Sequence, residues 1–430
     1  LNLLIDGMNR ELRTLQASEA RRAYVPVMFL QPQFVASQSA VRVSSSETPE
    51  VLRSSQFDAN GGVRWDTRWG SSLAVRALTT PWYSDFAPTP LTTLEASVNQ
   101  PLLRNGWGSG NLLEVVDLEI ELQRSLFVEQ LNALLGSVDA AYWQLAYAQA
   151  DVEIKKRSRD RAQQQYDDTK ENIARGLLAP GDIYVVEENL VIFEEQLLRS
   201  QEAVKLASLG LARLLQLEEA VDELSAADGL DRADAVVPTT QDALGVALRE
   251  NSGIAAARIA LRQSKVRLAH DRNQARPVLD FSASLGLNGL SEDYAESWGE
   301  SLSAENPALR LGLYFEMPLV SGPYRARIDR ADLQRKQQAE RLRLAESDVA
   351  FDVRERLTQL DARVASLEFA KRRIDLAEKK LQTERDKYQR GLSTLTDLVR
   401  FQRDLDSALL SERRVRLDVA VLQARLAQAQ

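Results

Sequence analysis

The sequence predicts a mainly α-helical chain with a smaller membrane β part, built as two copies of one plan. Three observations predict it. Landmark residues recur in the same order in both halves. Two helical stretches run longer than a compact domain accommodates. Between them lie segments in which apolar and polar residues alternate.

The repeat is anchored on two short strings. "RGLLAPGDI" (175–183) and "RGLSTLTDL" (390–398) align Arg175 with Arg390, Gly176 with Gly391, Leu177 with Leu392 and Asp182 with Asp397. Upstream, "VNQPLLRNG" (98–106) matches "FEMPLVSGP" (315–323) at Pro101 and Pro318, and "RAYVPV" (22–27) matches "NQARPV" (273–278) at Pro26 and Pro277. Each half reads helix, Pro, strands, Pro, very long helix, Gly tip, helix. The expected segments begin with a first ascending helix (1–24), shorter than its partner, and a first strand pair with a long outer loop (25–105). A long helix, tip turn near 175–182 and returning helix (106–217) lead to an equatorial linker region (218–245). The second copy is an ascending helix (246–276), a strand pair (277–321), and a long helix, tip turn near 390–396 and returning helix (322–430).

The helices carry seams. Val353, Leu357, Leu360, Val364, Leu367, Ile374 and Leu381 recur at spacings near four and three, as do Leu131, Leu134, Val138, Tyr142 and Leu145. That is a coiled-coil pattern; the plainer reading is the core stripe of an ordinary bundle helix. Length favours the first. No Pro interrupts the chain from Gly110 or Tyr324 to its tip. Each helix is about 65 residues, roughly 100 Å at 1.5 Å per residue. Small residues such as Ala140, Ala141, Ala146 and Ala148 let such helices pack closely.

The strands alternate. Leu309, Leu311, Leu313, Phe315, Met317 and Leu319 interleave with Arg310, Gly312, Tyr314 and Glu316. Leu279, Phe281, Ala283, Leu285 and Leu287 interleave with Asp280, Ser282, Ser284 and Gly286, and Leu94, Ala96 and Val98 with Glu95, Ser97 and Asn99. Such a sheet either half-covers a soluble core or turns its apolar face to lipid. No neighbouring segment offers a covering helix, because the helices spend their stripes on one another, so lipid is the better match. Aromatics agree: Trp65, Trp69, Trp82, Tyr83, Trp107 and Trp298 lie in or beside the strand regions, where membrane-interface aromatics belong, while Trp143 lies in a helix. Four strands per chain are too few for a closed membrane barrel, and open edges cannot face lipid. Several chains must therefore share one barrel; a trimer gives about twelve strands above a tube of about twelve helices.

Composition narrows the chemistry. The chain is 27% charged with net charge −8, which argues against nucleic acid as a partner. No run of about 18 apolar residues makes a transmembrane helix. With no Cys there is no disulfide, thiolate metal site or Cys nucleophile, and the one His, His270, reads as a solvated helix residue. "NGWGSGN" (105–111) lacks phosphate-loop spacing. We therefore expect no enzyme, no cofactor and no metal. The opening "LNLLIDGMNRELR" has neither the basic start nor the cleavage site of a signal peptide.

The duplicated plan, "QPLL" and "MPLV" ahead of the long helices, "ENSGIAAARIALRQSKVRLA" (250–269) and the two "RGL…D" tips together resemble the TolC-like outer-membrane efflux proteins over nearly the whole chain. The resemblance implies a homotrimer whose shared β-barrel sits in outer-membrane lipid of a Gram-negative cell, continuous with a long periplasmic α-helical coiled-coil barrel. It implies passive export, powered by an inner-membrane pump through a periplasmic adaptor protein. A type I protein secretion channel uses the same architecture. A structural coiled-coil scaffold with sheet caps is the alternative from another class. The sequence departs from the family in three places. The first strand region carries an additional alternating run, Val63, Trp65, Thr67, Trp69, Ser71, Leu73 and Val75; the first helix is short; and no Cys is present to carry the lipid anchor of some relatives.

The tips follow from glycine. Gly inside a helix costs about 1 kcal/mol relative to Ala, so Gly176 and Gly391 belong at breaks, with Ser393 or Thr394 as N-cap of the returning helix. The plainer reading is a helical hairpin turn. The resemblance adds that adaptor hairpins meet these ends, which makes Arg175, Gly176, Leu177, Arg390, Gly391 and Leu392 the docking candidates. Asp182 and Asp397 either favour a helix dipole or form a periplasmic gate with Arg400, which stands where relatives often place a second acid.

Overall fold

The structure is a computed structural model of the 430-residue chain, and it describes residues 2–41, 50–83, 89–108, 113–217, 224–230, 237–320 and 322–429. The chain divides into two units. One is Leu1–Arg124 with Ala256–Leu342, the other Ser125–Ala255 with Arg343–Gln430.

The first unit is built on one antiparallel sheet of six strands in sequence order: β1 (Val27–Val41), β2 (Glu50–Asp66), β3 (Ser72–Tyr83), β4 (Thr89–Pro101), β5 (Val278–Leu290) and β6 (Pro307–Glu316). Helix α1 (Asn2–Arg22) precedes it. Four strands were expected, and the first strand region supplies four by itself. The reason lies in the additional alternating run. It is two strands rather than one, folded back at Thr67–Ser71, where the Thr67 N–H donates to the Ser71 carbonyl at 2.8 Å and Gly70 takes a φ of 83°. The fold leaves Val63 opposite Val75 and Trp65 opposite Leu73. The alternation therefore keeps its parity through the turn, and nothing in the pattern marks the reversal.

Register sorts the two faces. One row of partners crosses all six strands as Met28, Val63, Val75, Ala96, Leu285 and Leu309. Met28 is 84% exposed and Leu309 70%, so the apolar face is uncovered over much of its width. The opposite face carries Arg76 paired to Glu95 at 2.9 Å, with Ser97 and Ser284 beside them. One helix rests on the apolar face: α6 (Tyr294–Ser303), between β5 and β6. Its small side chains Ser297 and Ser301 reach Thr92 Oγ1, each at 2.8 Å, and Ser297 Oγ donates to the Gly289 carbonyl at 2.8 Å. These buried hydroxyls satisfy one another, which removes the desolvation cost of burying them.

The second unit is helical. It contains most of α2 (Leu113–Ala174) and α7 (Gly322–Gln389), together with α3 (Asp182–Leu215), α4 (Thr240–Glu250) and α8 (Leu395–Ala429); α5 (Ser252–Gln274) leads back to the sheet unit. The seam residues Val353, Leu357 and Leu360 pack with Val419, Leu422 and Leu426 of α8 and with Ala243 and Ala247 of α4. Leu145 and Ala148 of α2 meet Val204 and Leu211 of α3, and Ala146 meets Leu417. Thr239 caps α4, its hydroxyl accepting the Asp242 N–H at 3.2 Å. Among the described residues no helix is long and apolar enough to cross a membrane.

Candidate functional site

The two glycine tips close in the same way. At the end of α2, Gly176 has φ 78°, its N–H donates to the Ile173 carbonyl at 2.9 Å, and the Leu177 N–H donates to Asn172 at 2.8 Å. At the end of α7, Gly391 has φ 73°, its N–H donates to Tyr388 at 2.9 Å, and the Leu392 N–H donates to Lys387 at 2.9 Å. This is the Schellman closure, in which a left-handed residue lets the chain satisfy the last helical carbonyls. In that motif the apolar residue after the glycine ordinarily folds back on the helix. Here Leu177 is 68% and Leu392 73% exposed, so neither is spent on its own helix end. Arg175 pairs with Glu171 one turn back, and Arg390 is exposed.

The aligned acids take different local places. Asp182 is the first residue of α3 and accepts the Ala179 N–H at 3.2 Å. Asp397 lies in the first turn of α8 and forms a reciprocal cap: its N–H donates to Thr394 Oγ1 at 3.2 Å, and that hydroxyl donates to its carboxylate at 2.5 Å. Arg400 turns to Phe401, with its guanidinium carbon 5.7 Å from the ring centroid. Among the described residues no ion pair joins Asp397 to Arg400.

Glu384, Lys387 and Tyr388 complete the tip region, and the sequence reading missed them. Glu384 is 8% exposed, accepts the Ser393 hydroxyl, and has Lys387 at 3.3 Å. The Ser393 hydrogen bond holds the Glu384 carboxyl below its ordinary pKa, partly opposed by burial and by the charge of Asp397. Burial raises the Tyr388 hydroxyl, and the charges of Asp182 and Asp168 add to it. Asp182 of the first copy thus acts on Tyr388 of the second, and the two tips lie side by side. A signal for Glu384 was present, since it stands three residues beyond Leu381 on the seam, where an acid is out of place.

The aromatics fall at opposite ends of the sheet. Trp65, Trp69 and Trp107 lie at the end where β2 finishes and β3 begins. Trp65 Nε1 donates to the Tyr24 carbonyl at 2.9 Å, and Trp69 and Trp107 are 69% and 74% exposed. Trp298 lies on α6 at the other end. Trp82 and Tyr83 end β3 at that same far end, and their side chains lie outside the described residues. From Leu73 to Trp82 the strand runs roughly 30 Å at about 3.3 Å per residue.

Among the described residues no group of three or more His, Cys, Asp or Glu side chains is placed to hold a metal ion. Residues 243–430 match the family model of the outer membrane efflux proteins. No curated protein matches the sequence. Solved structures with similar folds include the transmembrane channel CusC, at 14% identity and a TM-score of 0.70 over 100% of this chain and 88% of that one. The MtrE outer membrane channel of Neisseria gonorrhoeae, solved in its open state, matches at 16% identity and a TM-score of 0.68, covering 99% of this chain and 85% of that one. The outer membrane protein VceC of Vibrio cholerae matches at 16% identity and a TM-score of 0.65, covering 99% and 92%. At these identities the likeness is one of fold.

Proposed function

We propose that the chain, whose residues 243–430 match the family model of the outer membrane efflux proteins, is the outer-membrane export duct of a tripartite efflux system of the TolC-like kind. It conducts substrates passively from an inner-membrane pump and a periplasmic adaptor to the outside. The sheet carries this reading: one face is apolar and, away from the patch under α6, open along the row from Met28 to Leu309, and the other is polar, as lipid on one side and a water-filled lumen on the other require. The two aromatic groups fit as girdles. A strand run of roughly 30 Å tilted by about 40° spans about 23 Å of height, close to the apolar band of an outer-membrane barrel.

A sheet with two open edges needs neighbours, and so do the helices. On α3, Tyr184, Val191 and Leu198 follow one another at seven-residue spacing and are 72%, 57% and 67% exposed. On α7, Leu344 with Phe351, and Phe369 with Leu376, repeat the spacing and are also exposed. These are coiled-coil seams without a partner among the described residues. A homotrimer supplies one, closing three six-stranded sheets into a shared barrel and the helices into a periplasmic tube. In this reading the segments assigned from the sequence hold their roles, with 25–105 contributing four strands.

The test is purification from membranes followed by bilayer recording. We expect SDS-resistant trimers and stepwise ion conductance. A rod that stays soluble without detergent and never conducts would instead make the chain a structural scaffold.

The tip region is the proposed periplasmic gate and adaptor dock. In a ring of three chains, Asp397 meets Arg400 across a chain boundary rather than within one chain, which suits their separation in the protomer. Asp397→Ala and Arg400→Ala are each expected to raise the conductance of the resting channel severalfold. Unchanged conductance in both variants places the gate elsewhere.

A further inference from the structure

We propose that the polar face of the sheet holds an oxyanion-binding hollow between Arg64 and Arg310. The inference deepens the duct reading, on which its lumenal position rests. One row of partners crosses five strands in the order Arg64, Ala74, Ser97, Ser284, Arg310. Arginines stand at its two ends, and every residue between them is small. At about 4.8 Å per strand, the ends of the row are roughly 19 Å apart. The two arginine side chains line the span from both ends over a low floor. The result is a cavity of about 170 Å³ lined by both arginines, with Ser72, Asn99 and Ser282 of the next row beside them.

The electrostatics of the hollow are one-sided. No acidic residue lines it. Arg310 makes no ion pair among the described residues. Arg64 has Asp66 at 3.9 Å, the outer limit of an ion pair, with both side chains more than half exposed. The one other arginine of the adjoining row, Arg76, is already satisfied by Glu95 at 2.9 Å. Arg310 and Arg64, the latter held only by its long contact to Asp66, flank a floor that carries four serine hydroxyls and the Asn99 amide, and guanidinium forks bind planar or tetrahedral oxyanions through paired N–H donors. The ligand class is a compact oxyanion: phosphate, sulfonate or carboxylate, free or as the head of a larger solute. In the duct, such a site receives an anionic solute on its way through the barrel and releases it by exchange with the solvent.

Equilibrium dialysis of inorganic phosphate against the detergent-purified full chain tests the proposal. Binding is measured whether or not the protein conducts in bilayers, so failure of the duct reading and failure of the site are read separately. We expect saturable binding that weakens at least tenfold in R64Q/R310Q. It should hold within twofold in R76Q, which removes one positive charge from the same face outside the hollow. Circular dichroism checks that each variant is folded. Phenyl phosphate run in parallel separates a free ion from the head of a larger solute; tighter or equal binding of either supports the site. No saturable binding of either probe to the wild type, or equal losses in R76Q and R64Q/R310Q, overturns it.

Discussion

Replacing Arg161 by Met is expected to destabilise the helical unit by about 3 kcal/mol, the lower end of the cost of breaking a buried ion pair. Arg161 of α2 reaches Asp406 of α8 at 2.5 Å, joining residues far apart in sequence. Asp406 is 4% exposed, and its second carboxylate oxygen has no partner. The Arg161 side chain keeps about a third of its surface in solvent, which is why the lower figure applies. Burial already raises the Asp406 pKa, with Arg161 opposing the rise. An acid whose folded pKa lies above its unfolded value contributes most to stability at low pH, and that contribution is lost as pH climbs through the window between the two. Removing Arg161 raises the folded pKa further and widens the window upward. The deficit of Arg161→Met should therefore grow from acid to neutral pH, and adding Asp406→Asn should recover most of it. Urea midpoints of wild type, both single variants and the double variant, taken at several pH values, provide the check. A deficit below about 1 kcal/mol, or one independent of pH, would sink the account.

Leu177→Glu combined with Leu392→Glu is expected to reduce export at least tenfold while trimers form in normal yield. The two leucines are the largest apolar groups left in solvent by the tip closures, and the closures do not use them. A carboxylate placed there leaves the backbone bonds of the turn intact and removes an apolar contact from any docked adaptor. Gly391→Val acts differently. The added Cβ meets no neighbour, but φ 73° is the left-handed region, which costs a β-branched residue about 1–2 kcal/mol. It should loosen the turn as well as block export. Drug accumulation in cells, with trimer yield on SDS gels beside it, separates docking from assembly. Full export by the double leucine variant would remove the tips from the docking surface.

Much of this molecule is local, and the local part was legible. The tips were readable because one left-handed glycine and two backbone bonds make the closure, all within about six residues of Gly176 or Gly391. The helix seams were readable because spacing of about 3.5 residues sets which side chains share a face. The candidate site was less so. Asp397 has an aligned twin in Asp182, yet one belongs to a reciprocal cap with Thr394 while the other is the first residue of its helix. The alignment did not predict that difference, because Thr394 has no counterpart at Ala179.

The sequence by itself determined the repeated landmarks, the long helices, the glycine breaks and the apolar and polar sides of the alternating runs 63–75, 94–98, 279–287 and 309–316. These depend on residues within a few positions of one another. Only the tertiary structure decided that β2 and β3 are separate strands, that Arg64 and Arg310 stand at the ends of one row, and that Arg161 is the partner of Asp406. The reason is physical. A period of two records which face a side chain takes but carries no record of where a strand turns back or which strand lies beside it. The first is settled by the hydrogen-bonded turn at Thr67–Ser71, and the second by register and packing between segments far apart in the sequence.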